Sequence, residues 1–172
     1  SQAASYFNLY KTYIDQENHL VGETPFSGVL NSTFHEGPLT FNKEGTEVFF
    51  TRNNQLEGAR NQKKMNLSIF TSTKVNGIWS KPIELFVSNN EFSFCHPSLN
   101  NAGDRLYFSS NMPGGYGNYD LYFIEKVTGI WSSPINVGSV VNTGDNELFP
   151  NLLSDETLSF SSNRPNGLGG LD

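Results

Sequence analysis

Apolar and polar residues alternate in short runs along most of the chain, and clusters of Asn, Gly and Pro separate these runs. The pattern is clearest at residues 91–143, where residues 105–109, 119–124 and 130–137 alternate and residues 97–99 form a weaker extended segment. Alternating runs of this kind between turn residues are typical of antiparallel strands joined by tight turns. This part of the chain therefore predicts one sheet of four short strands.

The four-strand unit is repeated. The sequence Trp-Ser-x-Pro-Ile begins at Trp79 and again at Trp131, a spacing of 52 residues (131 − 79). Phe-Ser-Ser-Asn begins at Phe108 and at Phe160 with the same spacing (160 − 108), and a related Phe-Thr-Arg-Asn begins at Phe50, 58 residues earlier than Phe108 (108 − 50). A four-stranded unit with a period of about 40–50 residues is the signature of a β-propeller blade. We therefore predict an all-β fold built from such blades.

The repeat boundaries divide residues 1–172 into four parts of a single propeller segment. Residues 8–32 match the second half of a blade, and residues 144–172 match the first half of one. Between them lie two full blades, residues 33–87 and 88–143. The predicted fold is thus an all-β partial β-propeller of antiparallel four-stranded blades, and sustained helical spacing of apolar residues is nearly absent.

Three blade equivalents curve too tightly for a closed ring, because propellers have about four to eight blades. Two interpretations stay open. In the favoured one the chain is a piece of a longer protein, because free strand edges promote aggregation. In the other, two chains form a homodimer in which each opening half completes the closing half of its partner, giving six blades.

Composition narrows the classes of function. Aromatic residues make up 13% of the chain and charged residues only 16%, so the strands are expected to bury Phe and Tyr. The net charge of −6 argues against nucleic acid as a partner, because its phosphates need a basic surface. No apolar run approaches the length of about 18 residues that a membrane span requires. The single cysteine, Cys95, has no disulfide partner in the chain and is expected to be a small buried side chain.

Motifs for catalysis are missing from the sequence. It has no Gly-x-Ser-x-Gly elbow, no Asp-x-Asp-x-Asp-Gly calcium loop and no Lys-Ser/Thr pair after its glycine runs. We therefore expect a protein that is not an enzyme, with no catalytic residue, cofactor or metal site.

Two groups of residues are candidates for binding. His35, His96 and Glu147 stand near the start of the predicted innermost strands, where they could line a central channel. For the two histidines a structural, hydrogen-bonded role is the favoured interpretation. The second group is a basic cluster in a loop that only one repeat possesses, which makes it a candidate contact for a partner protein: Arg60, Lys63 and Lys64.

Asp120 and Asp172 occupy the same position in two repeats, whereas Ser68 and Asn8 stand there in the other copies. A carboxylate that bound an ion would be lost in those copies, but Asn or Ser can replace a carboxylate that accepts backbone N–H groups. The sequence leaves ion binding open and favours the structural role.

The two tryptophans also stand at equivalent positions. Trp79 and Trp131 are each followed by Ser-x-Pro in the predicted outer strand of a blade. A large aromatic side chain at this position is expected to cover the outer strand against the next blade.

Several of these runs resemble a known family. The doubled Phe-Ser-Ser-Asn at Phe108 and Phe160, the glycine-rich turn that leads to Asp120 and Asp172, and His96-Pro97 are similar to WD40-like repeats of the TolB type. They look more closely like the propeller of OmpA-family envelope proteins of Bacteroidota, some of which are similar to a periplasmic component of the type IX secretion machinery. The resemblance covers residues 8–172 and implies a periplasmic, outer-membrane-associated location with other cell-envelope proteins as partners.

Taken with the motifs that are missing, the resemblance implies a non-enzymatic protein-binding scaffold module of the bacterial cell envelope. Two alternatives stay open at this point. The first is a propeller that binds carbohydrate or peptide. The second is the propeller part of a hydrolase whose catalytic domain lies outside this stretch of sequence.

Overall fold

The computed structural model describes residues 6–54, 66–86, 91–165 and 167–172. Within these ranges the fold is all-β, as predicted, and the strands form four antiparallel sheets. No helix long and apolar enough to cross a membrane occurs in the described part of the chain. The strands are β1 (Tyr10–Ile14), β2 (Leu20–Pro25), β3 (Glu36–Phe41), β4 (Glu47–Asn54), β5 (Asn66–Val75), β6 (Ile78–Trp79), β7 (Ile83–Glu84), β8 (Phe94–Leu99), β9 (Arg105–Ser110), β10 (Asp120–Val127), β11 (Ile130–Trp131), β12 (Ile135–Asn136), β13 (Glu147–Ser154) and β14 (Thr157–Ser162).

The sheets follow one another in chain order. A two-stranded sheet, β1–β2, opens the chain and another, β13–β14, closes it. Between them are two sheets with the same order, β3–β4–β5 and β8–β9–β10, in which two short strands pair with the last long one. The register of the closing sheet extends past its second strand, because Asp172 exchanges two backbone hydrogen bonds with Ser162 just as Asp120 pairs with Ser110.

The predicted fourth strand of each full unit is split in two. Residues 78–86 form β6 and β7, and residues 130–137 form β11 and β12. The interruption falls at Ser-x-Pro, where proline lacks the N–H group that a ladder requires. The serine hydroxyl replaces part of the ladder: Ser80 accepts a hydrogen bond from the N–H of Thr73, and Ser132 accepts one from Glu125.

The core lies between neighbouring sheets. Val48 and Phe50 on β4 belong to one buried cluster with Leu9 and Leu30 of the opening part of the chain. Phe49, between them in sequence, belongs to a second cluster with side chains of the following sheet: Leu106, Phe108, Tyr122 and Ile124. Because successive side chains of a strand point to opposite faces, the sheet that contains β4 packs against a different sheet on each side. Face-to-face stacking in chain order is compatible with propeller blades, and the radial arrangement stays a prediction.

The two tryptophans pack at these interfaces, but against the preceding unit and not against the next one as predicted. Trp131 on β11 stands edge-on to Phe49 with 5.9 Å between ring centroids. Trp79 on β6 lies 5.9 Å from Phe26, which follows β2. In both cases the partner belongs to the preceding unit of the chain, so the prediction that they face the next blade is wrong. The reason is strand parity, because Trp79 packs on the face of its sheet that carries Val48.

Candidate functional site: a cavity between three Xaa-Pro bulges

Each of the last three sheets begins with a strand that carries an Xaa-Pro pair. We call β3, β8 and β13 the leading strands; their pairs are Gly37-Pro38, His96-Pro97 and Phe149-Pro150. The register of each leading strand shifts at this pair. Proline has no N–H for the ladder, so strands accommodate it at a bulge, which also turns the neighbouring side chain aside.

The three bulges surround one opening, which we call the inter-strand cavity. Its volume is about 220 Å³. It is lined by Pro38, Leu39, Thr40, His96, Pro97, Ser98, Phe149, Pro150 and Asn151. Equivalent positions of three repeats therefore meet at one place.

Two residues of the inter-strand cavity have left-handed backbone. The φ angle is 57° at His96 and 53° at Phe149, a region that residues other than glycine seldom adopt. The His96 N–H donates to Thr51 Oγ1 at 2.9 Å, and the Phe149 N–H donates to His96 Nδ1 at 3.4 Å. The result is a parallel stack of the two rings, with centroids 3.9 Å apart and planes 20° apart.

The His96 imidazole is neutral at pH 7. Burial lowers its pKa from 6.5 to about 4, because the charged form loses hydration. Its Nδ1 accepts a hydrogen bond, so the single proton of the neutral ring is on Nε2. The ring thus offers one N–H donor and an aromatic face, without charge.

Hydroxyl groups tie the leading strands to one another. Thr40 Oγ1 accepts a hydrogen bond of 3.2 Å from the N–H of Leu99. Ser98 Oγ accepts one of 3.0 Å from the N–H of Leu152. Each bond joins one leading strand to the next, so the same side chains that line the cavity fix the spacing of its walls.

Of the three residues expected near a channel, His96 alone lines this cavity. Nδ1 of His35 instead accepts a hydrogen bond of 3.1 Å from the N–H of Phe7, and its ring packs against Phe7 and Tyr6. Glu147 is fully buried, which removes it from any opening, and lies 3.4 Å from Arg164. The basic cluster of Arg60, Lys63 and Lys64 falls outside the described residues.

Sequence analysis did not single out Phe149 or the prolines. The signal that could have found them is the Xaa-Pro pair near the start of three equivalent strands. Proline is rare inside sheets, so its recurrence there marks a shared bulge.

The buried glutamates form equivalent polar clusters between sheets. Glu36 pairs with Arg52 and accepts a hydrogen bond from Ser32, whereas Glu147 pairs with Arg164 and accepts hydrogen bonds from Thr143 and Ser162. Each arginine also donates to a backbone carbonyl in the preceding loop. The middle unit has the apolar Phe94 at the glutamate position. These carboxylates are engaged in holding the units together.

The repeated aspartates accept backbone hydrogen bonds, which confirms the structural role favoured by the sequence. Asp120 accepts from the N–H groups of Tyr116 and Gly117, and Asp172 accepts from Gly169. Burial raises the pKa of Asp120, while the two N–H groups oppose that shift. No group of three residues suited to binding a metal ion is found within the described ranges.

Cys95 is buried beside the inter-strand cavity but does not line it. Burial raises the pKa of its thiol to about 12, because the thiolate would lose hydration. A thiol with this pKa is a poor nucleophile at neutral pH. The predicted role as a small buried side chain is confirmed.

Comparison with known proteins adds no relatives. The sequence matches no family model, and no curated protein matches it. The likeness to envelope proteins therefore rests on the sequence runs described above.

Proposed function

We propose that the chain is a non-enzymatic protein-binding module with a partial β-propeller arrangement, belonging to a bacterial cell-envelope protein. The observation that carries the proposal is that the repeated polar residues already have structural partners. Glu36, Glu147, Asp120 and Asp172 each bind an arginine, a hydroxyl or a backbone N–H within the fold. Catalysis needs titratable groups that converge on a substrate, whereas these groups converge on the protein itself.

The placement of the leading strands supports the propeller arrangement. Blades of a propeller surround a central channel with their first strands innermost. The bulges of β3, β8 and β13 surround one cavity, while the short last strands β6, β7, β11 and β12 pair at the far side of β5 and β10. Consecutive sheets also bury their facing sides against each other, as neighbouring blades do.

Exposed apolar side chains on loops supply the proposed contact surface. Among the loops that the structure describes in full or nearly so, antiparallel connectivity brings those after β2, β9, β12 and β14 to the end of the sheets where the leading strands begin. The most exposed apolar side chain of each of these loops belongs to a set that we call the loop-tip surface: Val29, Tyr116, Val140 and Leu168. Loops on a rigid scaffold commonly carry binding residues, and exposed apolar side chains on such loops favour a protein partner.

The family resemblance supports the cellular setting. The sequence runs resemble envelope proteins that are periplasmic and outer-membrane-associated. We therefore propose that the partners are other envelope proteins, including components of type IX secretion. Replacing three of the four side chains of the loop-tip surface, Tyr116, Val140 and Leu168, by Ser should weaken such a contact without disturbing the buried core.

The test immobilises the 172-residue chain and exposes it to a detergent extract of outer membranes from a Bacteroidota bacterium. It compares the native chain with a loop-tip variant and with a control that removes exposed apolar groups from the hairpins at the other end. The loop-tip variant carries Tyr116→Ser, Val140→Ser and Leu168→Ser; the control carries Val75→Ser, Val127→Ser and Ile130→Ser.

Support requires one protein that the native chain and the control both retain and the loop-tip variant loses. The same protein, once purified, must bind with the same ranking. Equal retention by all three chains, or retention of no protein by the native chain, would refute the proposal.

A further inference from the structure

We propose that the inter-strand cavity binds one uncharged sugar ring, which stacks on the aromatic pair His96–Phe149 and receives hydrogen bonds from the polar groups around it. This site is separate from the loop-tip surface and takes a different class of ligand. It follows from the shape, the hydrogen-bonding groups and the charge of the lining.

The aromatic pair provides a platform. Phe149 remains 45% exposed although His96 covers one face of its ring at 3.9 Å. The face of an aromatic ring carries partial negative charge, and the C–H groups on one side of a pyranose form an apolar surface with partial positive charge. A sugar ring is therefore a suitable partner for the exposed part of this pair.

The polar groups of the lining have hydrogens to donate. The hydroxyls of Thr40 and Ser98 each accept one backbone N–H, and no acceptor for the hydroxyl hydrogen is found among the described residues. His96 has a proton on Nε2, and the side-chain amide of Asn151 makes no hydrogen bond within the described ranges. A ligand that fills the cavity must supply several oxygen acceptors within a small volume, as sugar hydroxyls do.

The lining has no formal charge. Among the described residues no Asp, Glu, Lys or Arg lines the cavity, so a carboxylate, phosphate or ammonium group would lose hydration without meeting an opposite charge there. An aliphatic side chain of a peptide fits the apolar walls but would strip water from the hydroxyls without replacing their hydrogen bonds, which is unfavourable. A neutral, hydroxyl-rich ligand avoids both penalties.

The volume limits the ligand to one ring. About 220 Å³ is below the range of about 300–1,000 Å³ that is typical of sites for drug-sized molecules. One pyranose ring of a monosaccharide, or one terminal ring of a longer glycan, is the unit that fits.

The experiment follows backbone amide signals by NMR while D-glucose, D-galactose, D-mannose or N-acetyl-D-glucosamine is added to the full chain. At least one of these sugars should shift the amide signals of Leu99, Phe149 and Leu152, whose N–H groups bond to the cavity lining. Phe149→Ala should weaken the binding by about tenfold. The control Leu153→Ala removes an exposed side chain from the same strand outside the cavity and should leave the affinity unchanged.

Asn151→Ala keeps the test informative if Phe149→Ala does not fold, because the Asn151 side chain is exposed; it should weaken binding several-fold. The absence of shifts with all four sugars would overturn the proposal. So would shifts in the Phe149→Ala and Asn151→Ala variants that equal those of the native chain. Binding of N-acetyl-Ala-Pro-Ala-amide to the same amides in place of the sugars would assign the cavity to peptide instead. Since no protein partner is present, failure here leaves the proposed protein contact at the loop-tip surface untouched.

Discussion

Replacing Arg52 by Met should destabilise the protein far more than replacing Arg105 by Met, although both arginines pair with a glutamate on a neighbouring strand. Arg52 Nε lies 3.2 Å from Glu36 Oε1, which makes the two side chains an ion pair. The N–H of Arg52 Nε is not aligned well enough with Glu36 Oε1 to form a hydrogen bond. The side chains of Arg52 and Glu36 are 12% and 0% exposed. Burial lowers the pKa of Arg52, and Glu36 opposes that shift.

The expected loss of stability in the Arg52→Met variant depends on the hydrogen bonds that the Glu36 carboxylate keeps. Its Oε1 retains the hydrogen bond of 2.5 Å from Ser32 Oγ, while Oε2 has no hydrogen-bond partner among the described residues. A buried charge that loses its counter-ion typically costs about 3–5 kcal/mol. That is a large share of the total stability of an ordinary domain, about 5–15 kcal/mol.

Arg105 is the matched control. It pairs with Glu125 and lies 5.0 Å above the Phe123 ring, as Arg52 lies 5.0 Å above Phe50. The Arg105 and Glu125 side chains are 43% and 37% exposed, so water replaces the lost partner. Exposed pairs contribute about 0–1 kcal/mol, and the Arg105→Met variant should change stability by no more than that.

Urea unfolding measures both variants. The tryptophan fluorescence of Trp79 and Trp131 reports on the sheet interfaces, because both side chains pack there. The double variant Glu36→Gln with Arg52→Met should recover part of the loss, since it no longer buries an unpaired charge. Equal losses for Arg52→Met and Arg105→Met at an unchanged dependence on urea, or no recovery in the double variant, would refute the reasoning.

Three further outcomes follow from the structure. Because burial lowers the pKa of His96 from 6.5 to about 4, the unfolded chain binds a proton that the folded chain excludes between these pH values. The contribution of His96 to stability is therefore complete above pH 6.5 and is lost as the pH falls. This residue should lower the free energy of unfolding, measured with urea, by roughly 2–3 kcal/mol between pH 7 and pH 4. The His96→Asn variant should lack that part of the pH dependence. Gly115→Ala should destabilise by roughly 2–4 kcal/mol, because its Cβ would lie 1.8 Å from Asp120 Oδ2, whereas Gly28→Ala meets no atom within 4 Å and should be near neutral in the same assay. The Cys95 thiol should react with a disulfide reagent only on unfolding; fast reaction of the native protein would contradict its burial and raised pKa.

The repeat in the sequence predicted the strands because it is set by local chemistry. Turn residues and alternation act over a few residues, and each full unit contains the same ones. The pairing of Asp120 with Ser110 and of Asp172 with Ser162 follows the 52-residue spacing directly. The split of the last strand did not follow, because it depends on the Ser80 and Ser132 hydroxyls replacing ladder bonds, which alternation does not encode.

The residues that line the cavity were only partly predictable, because a bulge interrupts the regular alternation of side chains between the two faces of a strand. In a regular strand Glu147 and Phe149 are two residues apart and share a face. The bulge between Leu148 and Asn151 breaks that rule, so Glu147 is buried against Arg164 while Phe149 turns to stack on His96. The position of Glu147 near the start of a leading strand suggested that it could line the opening, but the bulge gives that place to Phe149. The left-handed backbone that causes the turn leaves no mark in the hydrophobic pattern.

The same bulge explains why the inter-strand cavity is more than a by-product of folding. Left-handed backbone at a residue other than glycine costs of order 1 kcal/mol or more, and glycine would adopt the φ of 57° at His96 or 53° at Phe149 without that cost. The chain instead holds two ring side chains there and stacks them 3.9 Å apart, with Phe149 half exposed. A pair of stacked rings contributes only about 0.5–1.5 kcal/mol, which is less than the strain of two left-handed residues and leaves no net gain for folding alone. What the arrangement does provide is a fixed aromatic face beside unused hydroxyl donors, and that is the property a ligand site requires.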